Sequence, residues 1–371
     1  MRDFILCVLI GLTSVAVSVA AKDAAPSTAN NAAPTPAQQI PLEHFTKFDE
    51  FGTIKISPDG EYIAATAGKR GRSTLTFISL KDGKVTGGIR TDANFEIDEF
   101  YWTSNTRVVY SLLEHIAGKS TPGTTGEFMA IDRDSKNQKL IYGFRAPQSR
   151  TGSRMQRNTA SYAIGKLIST LPNDDKNILI AEHELTEGAS YWYYSADTKP
   201  IVSIVDTMTG AKKRLGTVPL AQAELIVDNL DQVRFAIGAD DMAHYKVLWK
   251  PTAESAWTEF SLPGFEDESI EPLVFGKDNQ SVYFTGVAED QPLNALYLLD
   301  LKTHAVEKVF AFADQEVTNV IRNLSDREII GVFGYKDKLS HHWLNDKDPT
   351  AKLYEALVAA FPKQDVSIVS R

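Results

Sequence analysis

Ile54-Lys55-Ile56, then Ser57-Pro58-Asp59-Gly60, then Tyr62-Ile63-Ala64-Ala65: these stretches read as strand, tight turn and strand. Pro58 presets φ and Gly60 supplies the positive φ that such a turn needs, so the hairpin signal has a mechanism behind it. Further copies start their second strand at Val108, Ile178, Val233, Val282 and Ile329, each after a polar turn such as Trp102-Thr103-Ser104-Asn105 or Gly276-Lys277-Asp278-Asn279. Counted from Tyr62, the steps are 46, 70, 55, 49 and 47 residues. Most match the roughly 40 to 50 residues of a four-stranded propeller blade. The 70-residue step predicts an insertion, supplied by the Arg-rich stretch Arg145 to Arg157 or the aromatic stretch Tyr191 to Tyr194.

Downstream of the first hairpin each unit shows a second. Leu75 to Leu80 precedes Lys81-Asp82-Gly83, Phe128 to Asp132 precedes Asp134-Ser135, Ile201 to Asp206 precedes Thr209-Gly210, and Leu296 to Leu301 precedes Lys302-Thr303-His304. Two hairpins make four strands, which is one blade. The fourth unit, Tyr245 to Phe260, fits more loosely. A solenoid would have shorter repeats, and a sandwich would not repeat one hairpin so often. The expected fold is therefore all-β, a β-propeller of about six or seven four-stranded blades over residues 40–371. In the sixth unit Leu353, Leu357 and Phe361 fall at helical spacing after Pro349, and Pro362 stops the helix. Val366 to Val369 then begins another strand, so the propeller is expected to be incomplete at the C-terminus.

Residues 1–21 read as a signal peptide: Arg2, an apolar run from Phe4 to Val19, and small side chains at Val19-Ala20-Ala21. The run is too short to span a bilayer, which takes about 20 apolar residues. Residues 22–39, rich in Ala, Pro, Thr, Asn and Gln, read as a flexible leader. Localisation is expected to be periplasmic or secreted. Cys7 is the one cysteine and lies inside the signal, which excludes disulfides, thiolate metal sites and a cysteine nucleophile from the mature protein. The formal charge of −9 is spread along the chain and disfavours nucleic acid and anionic membranes.

Pro41-Leu42-Glu43-His44-Phe45, followed by Ile54 to Gly60 and the blade-like repeats, resembles the N-terminal propeller of bacterial prolyl oligopeptidase family serine peptidases, the dipeptidyl-peptidase and acylaminoacyl-peptidase group. The resemblance runs from Pro41 to Arg371 and rests on motifs of low specificity, since Ser-Pro-Asp-Gly hairpins also occur in TolB-like propellers. It implies an α/β-hydrolase domain with a Gly-x-Ser-x-Gly nucleophile, an acid and a histidine. This sequence has no such elbow: Gly118-Lys119-Ser120 and Gly188-Ala189-Ser190 lack the second glycine. The expected function is the non-catalytic portion of a secreted peptidase, shaping access to a hydrolase domain that this chain lacks. Peptide substrates would be met through that domain, and self-association through an open blade edge is expected. Alternatives are a stand-alone envelope scaffold of TolB type, or a lactonase-type enzyme holding axial calcium.

No catalytic, cofactor or metal residue is assigned from sequence. His341-His342 with Asp346 could suggest a metal pair, but adjacent strand residues point to opposite faces, and a solvated loop is the simpler reading. Glu182-His183-Glu184 reads as a surface strand with alternating charge, because no nucleophile accompanies it. Tyr191-Trp192-Tyr193-Tyr194 reads either as a peptide- or sugar-binding surface or, more simply, as a blade strand with its rings packed between sheets. Arg145, Arg150, Arg154 and Arg157 could bind an anion or dock a domain, and read more simply as a loop between blades.

Overall fold

A computed structural model describes residues 51–69, 72–146, 161–188, 192–323, 328–337, 339–362 and 366. The expected signal peptide and leader, Pro41 to Phe45, Arg150 to Arg157, Tyr191 and, beyond its first residue, the strand expected at Val366 to Val369 lie outside the described residues.

Strands follow one another as antiparallel hairpins and fall into six units. The first holds β1 (Ile54–Ile56), β2 (Tyr62–Lys69), β3 (Arg72–Ser79) and β4 (Val85–Arg90). The second holds β5 (Phe95–Trp102), β6 (Arg107–Glu114), β7 (Gly123–Asp132) and β8 (Lys139–Tyr142). A single parallel pair, Arg72 with Phe95, joins these two sheets at a corner. The third is ordered β9 (Ala163–Ser169), β10 (Asn177–Glu184), β13 (Ile201–Asp206) and β14 (Lys212–Thr217), with a small hairpin of β11 (Thr186–Glu187) and β12 (Trp192–Tyr193) inserted between β10 and β13.

The fourth has β15 (Ala221–Val227), β16 (Val233–Ala239), β17 (Tyr245–Trp249) and a two-residue β18 (Thr258–Glu259). The short β18 accounts for the loose fit of this unit in the sequence. The fifth has β19 (Glu271–Phe275), β20 (Ser281–Ala288), β21 (Gln291–Asp300) and β22 (Val306–Phe310). The sixth has three described strands, β23 (Val317–Arg322), β24 (Ile329–Tyr335) and β25 (Leu339–Trp343), followed by helix α1 (Pro349–Ala360). The second strands begin within one residue of the positions read from the repeat, and Gly60 has φ +71° as its turn requires.

Neighbouring sheets pack face to face. Phe77 and Leu75 pack on Phe100, Trp102 and Tyr110 between units one and two; Phe128 and Tyr142 meet Ile178 and Ile180 between two and three. Phe235 and Phe260 meet Phe275, Phe284 and Tyr297 between four and five, and Leu296 meets Val317, Ile329 and Val332 between five and six. On the far face of the sixth sheet Ile321 and Ile330 pack on Ala351 of α1. The helix therefore covers apolar surface on that face of the sixth sheet. Asp348 caps it by accepting from the Thr350 amide at 2.7 Å, and Pro349 begins the first turn.

The propeller has two unlike faces. A hairpin face carries the turns between first and second and between third and fourth strands. A connector face carries the links between second and third strands and the crossings from unit to unit. Toward the hairpin face, neighbouring units are stitched together. The Gly88 amide donates to Ser135 Oγ, 47 residues away; Lys139 Nζ donates to the Thr209 carbonyl, 70 away; Asn229 Nδ2 donates to the Gly276 carbonyl, 47 away. These separations follow the repeat steps, including the long one, so the insertion leaves the pairing of units undisturbed.

Candidate functional site

The first strands of units three to six converge on a cavity of about 730 Å³ on the hairpin face. Ile168, Leu225, Leu273 and Val274 give it apolar walls, and Asp228, Asp231, Lys277, Asp278, Arg322 and Glu328 give it a charged mouth. Much of that charge is already engaged. Arg234 Nη1 donates to Asp228 at 2.9 Å, Ser169 Oγ donates to Asp231 at 2.6 Å, and Lys277 pairs with Glu328 at 2.8 Å. The mouth is thus a polar rim contributed by units three to six.

A second group of polar side chains lies inside the third unit. Glu182 is 4% exposed and His183 fully buried. The expectation of a surface strand is therefore wrong at these positions. Because β10 is sandwiched between two other sheets, Ile178 to His183 are buried on both faces, and alternation of exposed and buried residues disappears. Toward the second unit, Glu182 accepts from Lys212 Nζ at 2.5 Å, from Tyr142 Oη at 3.2 Å and from Ser203 Oγ; Lys212 also donates to Ser161. Burial, reinforced by the Glu182 charge, pushes the Tyr142 hydroxyl well above its ordinary pKa, so it stays a donor.

Toward the fourth unit, His183 Nδ1 meets Tyr194 Oη at 3.3 Å, and Nε2 is buried with no partner among the described residues. Burial first and the Lys166 charge second lower the His183 pKa to about 4, so the ring is neutral near pH 7. Tyr194 also donates to Gln222 Oε1, while Gln222 Nε2 donates to the Ser195 carbonyl and its amide to Thr198. These bonds tie the inserted segment to the fourth unit. Glu182 and His183 adjoin in sequence yet face different neighbours, and neither has a hydroxyl nucleophile backed by a base and an orienting group.

The remaining sequence candidates separate as follows. His341 and His342 lie on β25 rather than in a loop, and point to opposite faces: His341 Nε2 meets Glu355 at 2.7 Å on the helix side, while His342 stacks on Phe310 at 4.2 Å. Hydrogen bonds from Trp343 and His341 hold the Glu355 carboxyl below its ordinary pKa. Among the described residues no group of three or more His, Cys, Asp or Glu is placed to hold a metal ion. Gly118-Lys119-Ser120 sits in the link between β6 and β7, not in a strand-to-helix turn.

Tyr193 and Tyr194 are exposed in and beside the small hairpin, which corrects the reading of rings packed between sheets. Of the basic stretch, Arg145 is described: its Nε and Nη2 donate to Glu127 Oε2 at 2.8 and 2.5 Å. The others lie outside the described residues. Sequence reasoning missed Lys212, Ser203 and Tyr142, which are far from Glu182 in the chain and meet it through sheet pairing and sheet packing, and Gln222, which bonds the Tyr194 that meets His183.

No family model and no curated protein sequence matches the chain. Solved structures do. A structure from a mechanistic study of two prolyl endopeptidases aligns at 11% identity and TM-score 0.52, over 81% of this chain and 42% of its own. The acylaminoacyl peptidase of Pyrococcus horikoshii aligns at 13% identity and TM-score 0.48, over 86% of this chain and 47% of its own. The β-propeller domain of the trilobed protease from Pyrococcus furiosus aligns at 12% and 0.42, over 80% and 86%. The chain spans less than half the length of the first two. At this identity the likeness is one of fold: the chain is a β-propeller similar to the propeller portion of prolyl oligopeptidase-type peptidases.

Proposed function

We propose that this chain is the non-catalytic propeller of an exported peptidase of prolyl oligopeptidase type, and that it restricts what reaches a hydrolase domain outside this sequence. The observation that carries the reading is the fold likeness to a prolyl endopeptidase over 81% of this chain but 42% of that one. The cavity among units three to six supports a filter, since Ser169 with Asp231 and Lys277 with Glu328 bond neighbouring units across its polar rim. Export is supported by the charged start, short apolar run and small residues of positions 1–21.

The test is the coding sequence beyond the Arg371 codon, together with assays of the mature chain. A Gly-x-Ser-x-Gly hydrolase domain following in the same or a shifted frame supports the proposal. An unrelated domain, or serine-inhibitor-sensitive hydrolysis of chromogenic dipeptides by this chain alone, overturns it.

A further inference from the structure

The bonds around His183 fix where its proton sits. Gln222 Nε2 donates to the Ser195 carbonyl at 3.0 Å, which turns Gln222 Oε1 toward Tyr194. An amide oxygen only accepts, so the Tyr194 hydroxyl gives its one proton to that bond. It meets His183 Nδ1 at 3.3 Å as an acceptor, and Nδ1 is therefore the protonated nitrogen. Nε2 carries the lone pair, buried with no partner among the described residues. A further proton must go there.

None of the charges around that atom would stabilise an imidazolium. Glu182 and Glu184 flank His183 in sequence but face unit two, where their charges act on Tyr142. Lys166 on β9 repels an added positive charge, and Glu224 on β15 acts on Tyr245 and Glu271, toward unit five. A charged ring buried in this way is driven to reach water where its cover is thinnest. β9 and β15 belong to four-stranded sheets, whereas the Tyr194 ring, edge-on to the imidazole at 5.7 Å, belongs to the inserted segment.

Few bonds hold that segment. Thr186 and Glu187 pair with Tyr193 and Trp192, and Thr198 Oγ1 donates to the Glu184 carbonyl at 3.3 Å. Beyond the side chain of Gln222, its ties to unit four are the Lys199–Asp241 ion pair at 2.8 Å and the Gln222 amide, which donates to the Thr198 carbonyl at 3.1 Å. Gln222 sits at φ +53°, in the left-handed region that a residue with a Cβ rarely adopts, so release relieves strain. β9 and β15 run from here to the cavity: Ala163 pairs with Glu184 at this end, and Ile168 and Leu225 line the cavity toward the other.

We infer that Tyr194 to Thr198 form an acid-released strap, independent of any hydrolase domain: protonation of His183 at Nε2 frees them from unit four and opens the connector-face end of the seam between units three and four.

The test uses the mature chain labelled with 15N-histidine. At pH 7.5 the His183 nitrogen shifts should place the proton on Nδ1, and the titration midpoint should fall well below 6.5. Taking about 4 for the closed ring and 6.5 for the open one, the open population should rise roughly 50- to 100-fold from pH 7.5 to 4.5. Hydrogen exchange of residues 192–200, corrected for intrinsic rates, should speed up by that factor. Low urea should leave it unchanged while accelerating exchange in β10, whose amides open only with their sheet. Tyr194→Ala should move the His183 midpoint toward 6.5 and make exchange in this segment fast already at pH 7.5. His183→Gln should abolish the pH dependence; should it not fold, the parent titration and Tyr194→Ala still decide.

A proton on Nε2, a parent midpoint at 6.5, a midpoint unmoved by Tyr194→Ala, or exchange that stays level with pH overturns the proposal. So does a rise that persists in folded His183→Gln. A rise sharing the urea dependence of β10 overturns it too, because the whole sheet and not the strap would then be opening.

Discussion

Arg107 and Thr207 lie 100 residues apart, and the guanidinium of one donates to the carbonyl of the other through Nη2 at 2.6 Å and Nε at 3.2 Å. The same side chain, 3% exposed, pairs with Asp132 at 2.5 Å and donates to the Asn137 carbonyl. One planar fork thus joins the second strand and outer turn of unit two to the outer turn of unit three. Alanine at this position leaves Asp132 and two carbonyls without their donor, and is expected to cost about 3 to 5 kcal/mol. Arg107→Lys should recover part of it, because an ammonium cannot reproduce the fork. Urea denaturation of the folded variants checks both; equal stability of the Lys variant and the parent would refute the argument from geometry.

His183 predicts a pH dependence. Its folded pKa of about 4 lies below the ordinary value of 6.5, so the unfolded chain binds the proton more readily. Stability from this group is complete above about pH 6.5, falls as pH drops toward 4, and is level below that, a total of about 3 kcal/mol. The groups that act on it are Lys166 and Tyr194, and neither is an acid that could offset the imidazolium. His183→Gln should flatten the stability profile between pH 4 and 6.5 relative to the parent. An unchanged slope in chemical denaturation across that window would show that the ring is solvated.

Helix α1 packs on the sixth sheet, so its seam should behave as a core. Ala351 is buried against Ile321 and Ile330, and Tyr354 is buried beside Phe333, Trp343 and His341. Ala351→Asp places an unpaired carboxylate there and is expected to destabilise the chain by several kcal/mol, about as much as any buried unpaired charge. Leu353→Asp, on an exposed position of the same helix, should cost less than about 1 kcal/mol. Comparable melting temperatures for the two variants would mean that the helix does not dock in solution.

The repeat was legible in the sequence because hairpin turns have local causes: the Pro58 and Gly60 dihedrals act over four residues, and each copy announces itself. The helix was legible for the same reason, through spacing and Pro362. Glu182 and His183 were misread because charge in a strand ordinarily marks solvent, whereas burial here comes from sheets contributed by residues 142, 203 and 222. The aromatic run was half legible. Its composition suggested either surface or core, and the choice depended on whether the stretch between Ile178 and Val233 held only strands of the blade or a separate hairpin as well. His341 and His342 were read correctly as facing apart, and incorrectly as a loop, since Ser340 and the two imidazoles carry little strand propensity of their own.

The last prediction separates the Glu182–Lys212 pair from a simple surface ion pair. Lys212 reaches Glu182 along the flank of Tyr142, 5.5 Å from that ring, and its ammonium also holds Ser161. Lys212→Met removes the cation but leaves a buried carboxylate held by Tyr142 and Ser203 alone, and should cost about 3 kcal/mol. Glu182→Gln leaves an ammonium that can turn toward solvent, because Lys212 is 28% exposed, and should cost less. The double variant removes both charges while the amide keeps its bonds to the two hydroxyls, and should be more stable than Lys212→Met alone. A coupling of about 1 to 3 kcal/mol in the cycle is expected. Additive effects would mean that the two charges do not sense each other in the folded chain, and that the pair contributes no more than an exposed one.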